Sequence, residues 1–180
     1  LLVNDGDIGE IIVRGDLVTR AYFQNPEANA RAKIPDGDSF WHRMGDLGWR
    51  DSKNRVWFCG RKSHRVVTTA GEMFTIPCEA IFNSHPGVFR SALVGIGSHP
   101  RQTPVICIEC NNEGQKKERR QLTEELLKAA AASPLTRSIR HILYHKGFPV
   151  DIRHNSKIFR EQLAAWASRR VKGPQIDDEK

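Results

Sequence analysis

Long apolar runs are missing from this 180-residue sequence. No stretch reaches the roughly 18 apolar residues of a spanning helix, so no transmembrane segment is expected. The first ten residues carry neither a basic start nor an apolar segment, so no signal peptide is expected either. Nucleotide signatures of the GxxxxGK[ST] and GxGxxG types are absent, as is a GxSxG nucleophile elbow. Gly95-Ile-Gly97 is too short a match to count. Cysteines number four, at 59, 78, 107 and 110, and only the last two make a CxxC. Pro104–Cys110 reads as a strand, where residues three apart point to opposite faces, so that pair cannot clasp one metal ion. The seven histidines show no metal spacing. No metal site is therefore expected among these residues. Buried, reduced cysteines are the expectation, and with them a cytoplasmic location.

What is present is a globular composition, 39% hydrophobic and 27% charged. The net charge of +7 is unevenly placed. Residues 1–60 hold 8 Lys and Arg against 9 Asp and Glu; residues 61–180 hold 20 against 12. The step suggests a boundary near residue 60 and a basic second part. Basic surfaces favour phosphates, whether of nucleotides, CoA-like carriers or nucleic acids. A nucleic-acid module would interleave aromatics with Lys and Arg on one sheet face. The basic part instead has Trp166 on an expected helix and few aromatics in exposed-looking positions, so that reading is secondary.

Hydrophobic periodicity gives the order of elements. Gly9–Gly15, Phe40–Met44, Leu47–Arg50 and Arg55–Cys59 read as strands, with Asn25–Ala32 a turn running into a short helix. Gly45-Asp46 reads as a loop, and Asp51–Asn54 as a hairpin turn in which Asn54 adopts a left-handed conformation. Beyond Gly60, strands are expected at Arg65–Thr69, Ser91–Ile96, Pro104–Cys110 and Ile139–Tyr144. Helices are expected at Pro77–Ser84, Lys116–Ala132 and Ile158–Arg169. The whole is an α+β fold: a small antiparallel β unit, then a compact α+β domain with helices packed on a small sheet.

Three polar positions in loops draw attention. Asp46 follows an aromatic strand, Arg61 follows another, and Lys157 lies in His154-Asn-Ser-Lys157-Ile158, read as a loop running into a helix. A carboxylate accepts two hydrogen bonds at once and suits a ribose diol. Arg and Lys suit a phosphate or a carboxylate. Singly, each is equally a turn or surface residue.

Their order and spacing resemble the adenylate-forming enzymes, which include acyl-CoA synthetases, peptide-synthetase adenylation domains and luciferases. Gly9-Glu-Ile-Ile-Val-Arg-Gly15 with Ala21-Tyr22 is similar to that family's GE(L/I)xxxG…xGY segment. Phe40-Trp-His-Arg-Met-Gly-Asp-Leu47 is similar to (W/Y)Y(R/K)TGDL. Trp57-Phe-Cys-Gly-Arg61 resembles the FxGR strand end before a hinge. Gly71 with Ile76-Pro-Cys-Glu79 resembles Gxx(I/V)xPxE, and Phe148-Pro149 with Asn155-Ser-Lys-Ile158 resembles LPxTxxGK(I/V). Departures are His42 for Tyr, Met44 for Thr, Ser63-His64 for Asp-Asp, Val67 for a frequent Lys, Ser156 for Gly, and an Ile152-Arg-His154 insertion. Phe148–Glu161 and Gly60–Arg65 are most similar to the family's β-lactone-forming branch in long-chain olefin biosynthesis.

The resemblance implies a division into residues 1–61, the end of a large N-terminal domain; 62–170, a mobile C-terminal domain; and a polar tail, 171–180. It implies Lys157 as the catalytic residue, Asp46 and Arg61 as nucleotide-binding residues, a hinge at Lys62 and Ser63, and a C-terminal-domain loop around Gly71. It implies ATP and Mg2+ as cofactors, with the magnesium ligand, phosphate loop and acyl pocket upstream of Leu1. The chain is thus expected to be an incomplete enzyme. Its partners would be ATP or AMP, a fatty-acid-derived carboxylic acid and other olefin-pathway enzymes, with no nucleic acid. An ordinary acyl-CoA synthetase or a peptide-synthetase-like adenylation enzyme is the nearest alternative activity.

Overall fold

The structure, a computed structural model, describes residues 3–171, with the backbone alone at 154–156. Of the expected polar tail, 172–180 lie outside the described residues. The chain divides into two compact units, Leu1–Ser63 and His64–Lys180.

In the first unit, β1 (Gly9–Val13) is followed by α1 (Pro26–Ala32), β2 (Lys33–Asp36), β3 (Ser39–Arg50) and β4 (Val56–Arg61). Asn25 caps α1 by accepting from Ala28 N at 3.0 Å, and Pro26 occupies the first helical position, where no amide partner is needed. The long strand β3 organises the sheet. β1 pairs with it antiparallel along one edge, while β2 and β4 share the other. The expected break at Gly45-Asp46 is therefore corrected: these residues lie inside one twelve-residue strand. Gly45 takes φ +69°, which absorbs the local bend. Asp46 pairs with Arg61 and Leu47 with both Glu10 and Gly60, while the β1 ladder shifts register between Leu47 and Arg43.

The second unit begins with the hairpin β5 (Val66–Thr68) and β6 (Gly71–Met73), then α2 (Thr75–Asn83). Strands β7 (Val88–Ile96) and β8 (Thr103–Cys110) pair antiparallel over their full length. After α3 (Asn112–Lys116) and α4 (Arg119–Ala131), β9 (His141–Tyr144) joins β8 in parallel. The chain ends on the two-stranded β10 (Val150–Asp151) and β11 (His154–Ile158), and α5 (Arg160–Ser168).

Both faces of the β7–β8 pair are covered, which is why these strands read as continuous apolar runs rather than alternating ones. Leu93, Ile106 and Ile108 pack with Phe82 of α2 and Leu122, Leu126 and Ala130 of α4. Ala92, Val94, Val105 and Cys107 pack on the opposite face with Leu163 and Ala167 of α5 and with Phe148. Cys107 thus belongs to one core while Cys110 packs against the other, and all four cysteines are free. Burial pushes the Cys78 and Cys107 thiols up to about 12, so neither is a thiolate at neutral pH. Cys110 is only half-buried, a departure from the expected fully buried set.

The expected helix at 116–132 is α4, which starts three residues later, and Lys116 ends a separate helix, α3. Lys117 and Glu118 are extended between them. Asn111 starts α3 early by accepting from the amides of Glu113 and Gly114, both at 3.0 Å. Lys117 then turns to Glu125, which it shares with His85 at 2.6 and 2.8 Å. Those two bonds, Lys117 first, hold the Glu125 carboxyl at about 2.

Gly114 backs directly onto Gly87: a Cβ at Gly114 would lie 1.9 Å from the Gly87 carbonyl oxygen. Helix propensity alone favours Gly114→Ala by ~1 kcal/mol. The backbone clash is the larger effect, and overpacking of this kind costs ~1–3 kcal/mol. Gly114→Ala is therefore expected to lower the urea midpoint. Gly147→Ala, whose Cβ meets nothing within 4 Å, is expected to leave it unchanged or raise it slightly.

Candidate active-site residues

Asp46 and Arg61 come together in the first unit through strand register. They are directly opposed on β3 and β4, so their side chains share a face. The register is set by a bulge: Leu47 pairs with Gly60 but Gly48 pairs with Phe58, leaving Cys59 unpaired. Gly60 takes φ +113° to make it. Without that extra residue Arg61 would lie one place along and face the other side.

Arg61 Nε stands 3.0 Å from Asp46 Oδ1, and Arg61 Nη1 donates to the Met44 carbonyl at 3.1 Å. The guanidinium remains largely exposed, whereas Asp46 is largely covered. Oδ1 of Asp46 is buried and accepts no well-aligned hydrogen bond among the described residues, the Arg61 contact being an ion pair by distance only. A covered carboxylate with unused lone pairs has capacity for a hydroxyl donor. An exposed guanidinium beside it suits an anionic oxygen.

Lys62 follows Arg61 in the short 3-10 turn Lys62–His64. Its Nζ donates to Glu10 Oε2 at 2.8 Å. The same oxygen accepts from Arg43 at 2.6 and 3.1 Å. Arg43 foremost, then Lys62, hold the Glu10 carboxyl below the ordinary range against the opposing effect of burial. Ser63 is exposed. The Glu10 anchor for Lys62 was not legible in sequence, because 52 residues separate the two.

Lys157 and Gly71 belong to the second unit. Lys157 lies on β11, not in a loop, and α5 begins at Arg160 rather than Ile158. The correction has a physical cause: Val150 pairs with Ile158 and Asp151 with His154, which closes the segment into a hairpin. The side chain of Lys157 is 64% exposed, and its Nζ stands 3.8 Å from Asp151 Oδ2. Asp151 is buried, and its carboxyl is held low, chiefly by hydrogen bonds from Arg153 and further by the Lys157 charge. Gly71 opens β6 at φ +127°, a conformation that favours glycine, opposite Thr68 in a tight hairpin. Thr68 closes that turn by donating to the Gly71 carbonyl and accepting from Ala70 N.

Among the described residues no cluster of three His, Cys, Asp or Glu is placed to hold a metal ion. No described helix is long and apolar enough to cross a membrane.

No family model matches the chain. Over 168 residues, 91% of its length, the chain is 46% identical to an olefin β-lactone synthetase of Xanthomonas campestris pv. campestris. It is 48% identical over the same length to an olefin β-lactone synthetase of Stenotrophomonas maltophilia. Over nearly its whole length the chain is thus similar to part of an olefin β-lactone synthetase. It spans about a third of these relatives, 30% of each. Among solved structures, an anthranilate CoA ligase in complex with anthranoyl-AMP superimposes with a TM-score of 0.78. That match covers 93% of this chain and 31% of the ligase at 20% identity, a likeness of fold. The α+β reading and the family resemblance drawn from the sequence are thus borne out.

The strand pair carrying Asp46 and Arg61 is closed by Asp51. Its Oδ1 accepts from Lys53 N and Arg55 N at 2.9 Å, and its Oδ2 from Arg55 Nε at 2.7 Å and Trp57 Nε1 at 2.9 Å. Trp57 foremost, these donors hold the carboxyl at about 2, against 3.8 ordinarily. The depressed value means the carboxylate's contribution is fully present above the unfolded pKa and is lost as pH falls through the folded one. Trp57 fluorescence is expected to change as pH falls below about 3, with a midpoint near 2, and Asp51→Asn to abolish that step. A wild-type step centred near 4 would show that these bonds do not form.

Proposed function

We propose that this chain is the C-terminal portion of an ATP-dependent ligase that converts a 2-alkyl-3-hydroxyalkanoic acid to a β-lactone. The observation carrying this reading is the 46–48% identity to two olefin β-lactone synthetases across 91% of the chain. By contrast, relatives named as CoA ligases or synthetases are 30–36% identical over shorter spans, such as 94 residues for a putative acyl-coenzyme A synthetase of Emericella nidulans and 123 for a crotonobetaine/carnitine–CoA ligase of Salmonella arizonae.

In this reading the substrate carboxylate attacks the α-phosphorus of ATP. The bond to the β-phosphate oxygen breaks, giving acyl-adenylate and pyrophosphate. The substrate's own 3-hydroxyl then attacks the acyl carbon and loses its proton. The acyl–oxygen bond to AMP breaks, leaving a four-membered lactone and free AMP. No CoA enters. Asp46 binds ribose hydroxyls through its unused lone pairs, and Arg61 binds an anionic oxygen of the nucleotide. Charge accumulates on the α-phosphate oxygens as the first step proceeds, and a cation placed there lowers the barrier. That role falls to the exposed ammonium of Lys157. The 3-10 turn at Lys62-Ser63 is the pivot of the second domain, and Gly71 opens β6 at the turn of that domain's first hairpin. Magnesium is the expected companion of the ATP phosphates. The described residues offer no cluster for it, so it would be held elsewhere in the ligase and no step here runs through it.

The test compares Lys157→Ala with Lys146→Ala in the complete ligase, following AMP formation. Both lysines are exposed, so each change should alter stability by no more than ~0.5 kcal/mol. Lys157→Ala is expected to lower the rate by a factor on the order of a hundred or more, with Lys146→Ala near normal. Equal, small losses would overturn the role of Lys157. AMP release that requires added CoA would instead favour an acyl-CoA synthetase.

A further inference from the structure

One element of the motif pattern is left without a task by this reading: Glu79, in Pro77-Cys-Glu79. It lies on α2 and is 6% exposed. Its partner is Arg160, the first residue of α5, 81 positions along the chain. Arg160 Nη1 meets Glu79 Oε1 at 2.6 Å and Nη2 meets Oε2 at 3.0 Å, a two-pronged contact of guanidinium on carboxylate. Both groups also engage Leu93. Its amide donates to Glu79 Oε1 at 2.7 Å, and its carbonyl accepts from Arg160 Nη1 at 3.1 Å. Leu93 is in β7, the strand at the end of the β7-β8-β9 order, so the pair satisfies backbone groups on an otherwise unpaired edge.

A buried ion pair of this sort gives little net stability over apolar packing of the same volume. What the fork geometry supplies is direction. With the Leu93 backbone it fixes where α5 starts, against both α2 and β7. Lys157 lies three residues earlier. The two residues between are themselves held: Ile158 packs on the second core, and Phe159 N donates to the Pro149 carbonyl at 2.9 Å. At about 3.3 Å per extended residue, only ~10 Å of chain separates Arg160 from Lys157. The Arg160 anchor and Lys157 thus sit on one short, taut segment whose start at α5 the fork sets.

We propose that the buried Glu79–Arg160 pair is the positioning device for Lys157, acting on the reaction only through where it holds that lysine's strand. This rests on the role of Lys157 given above. A misplacement of about 1 Å in a reacting group costs on the order of a hundredfold in rate, so a loosened anchor has a kinetic signature distinct from unfolding.

The experiment is a double-mutant cycle in the complete ligase: wild type, Glu79→Gln, Lys157→Ala and the double variant. It follows release of radiolabelled pyrophosphate at saturating ATP, together with KM for ATP and the thermal midpoint. Glu79→Gln is expected to lower kcat at least about tenfold with KM for ATP within about twofold, while adding no further loss in the Lys157→Ala background. The same fractional loss in both backgrounds, with Lys157→Ala itself impaired, would overturn the positioning role and leave the role of Lys157 standing. A Lys157→Ala enzyme as active as wild type would overturn the role of Lys157 and the proposal with it. Should Glu79→Gln not fold, Arg160→Lys keeps the charge but loses the fork. It is expected to show the same kcat loss, and a folded Arg160→Lys enzyme with normal kcat would overturn the proposal.

Discussion

Strands β7 and β8 present apolar side chains to both sides at once, and the second unit is arranged around that constraint. Leu93 and Ile106 are fully buried on one face, and Ala92 and Cys107 on the other. A side chain such as Leu126 or Leu163, buried in covering these faces, contributes ~1.5–3 kcal/mol by removal from water. Surface ion pairs such as Arg120–Glu124, with both side chains well exposed, contribute at most ~1 kcal/mol each. The basic excess of this unit is therefore incidental to its stability. It bears on which ligands the surface attracts, and the fold would survive its rearrangement.

The sequence made the β7–β8 constraint visible because a continuous apolar run between turn residues has few other uses in a chain this size. The same was true of α4, where Leu122, Leu126 and Ala130 recur at helical spacing, and of the Asp51–Asn54 turn, where Asn54 takes φ +59°. Legibility failed where long-range pairing decided the outcome. Gly45-Asp46 has loop composition, yet pairing of Asp46 with Arg61 on β4 holds the segment in the strand, while the β1 ladder shifts register opposite it. His154–Ile158 has no apolar alternation to mark a strand, and only its pairing with Val150-Asp151 makes one. Lys117-Glu118 looks helical by propensity, but Asn111 starts a separate helix before it.

For the candidate residues the motif pattern located Asp46, Arg61 and Lys157, but not what holds them. The bulge at Cys59 that turns Arg61 toward Asp46 is written only as a glycine at position 60. Glu10 beneath Lys62, Asp151 beside Lys157 and Glu79 beneath Arg160 are acidic residues whose composition gives no hint of their partners. Local sequence encodes a side chain's chemistry; its orientation is encoded at sites 52 and 81 residues away.

This separation has a physical rationale in the role proposed for Lys157. A cation that is to meet a phosphate has to stay hydrated and extended until then, so burial or a tight partner would work against it. Its side chain is accordingly 64% exposed, and its nearest carboxylate stands at 3.8 Å, beyond a hydrogen bond. An exposed lysine on a short two-stranded hairpin would ordinarily be imprecise, because two isolated strands are barely stable in water. Rigidity has to be imported from where water is excluded and geometry is enforced. The Glu79–Arg160–Leu93 contact lies inside the fold, with Arg160 and Glu79 side chains 13% and 8% exposed. It adjoins the hairpin through two residues that are both fixed. In the proposed arrangement the chemistry stays at the surface while the geometry is set in the interior, and only ~10 Å of backbone lies between them.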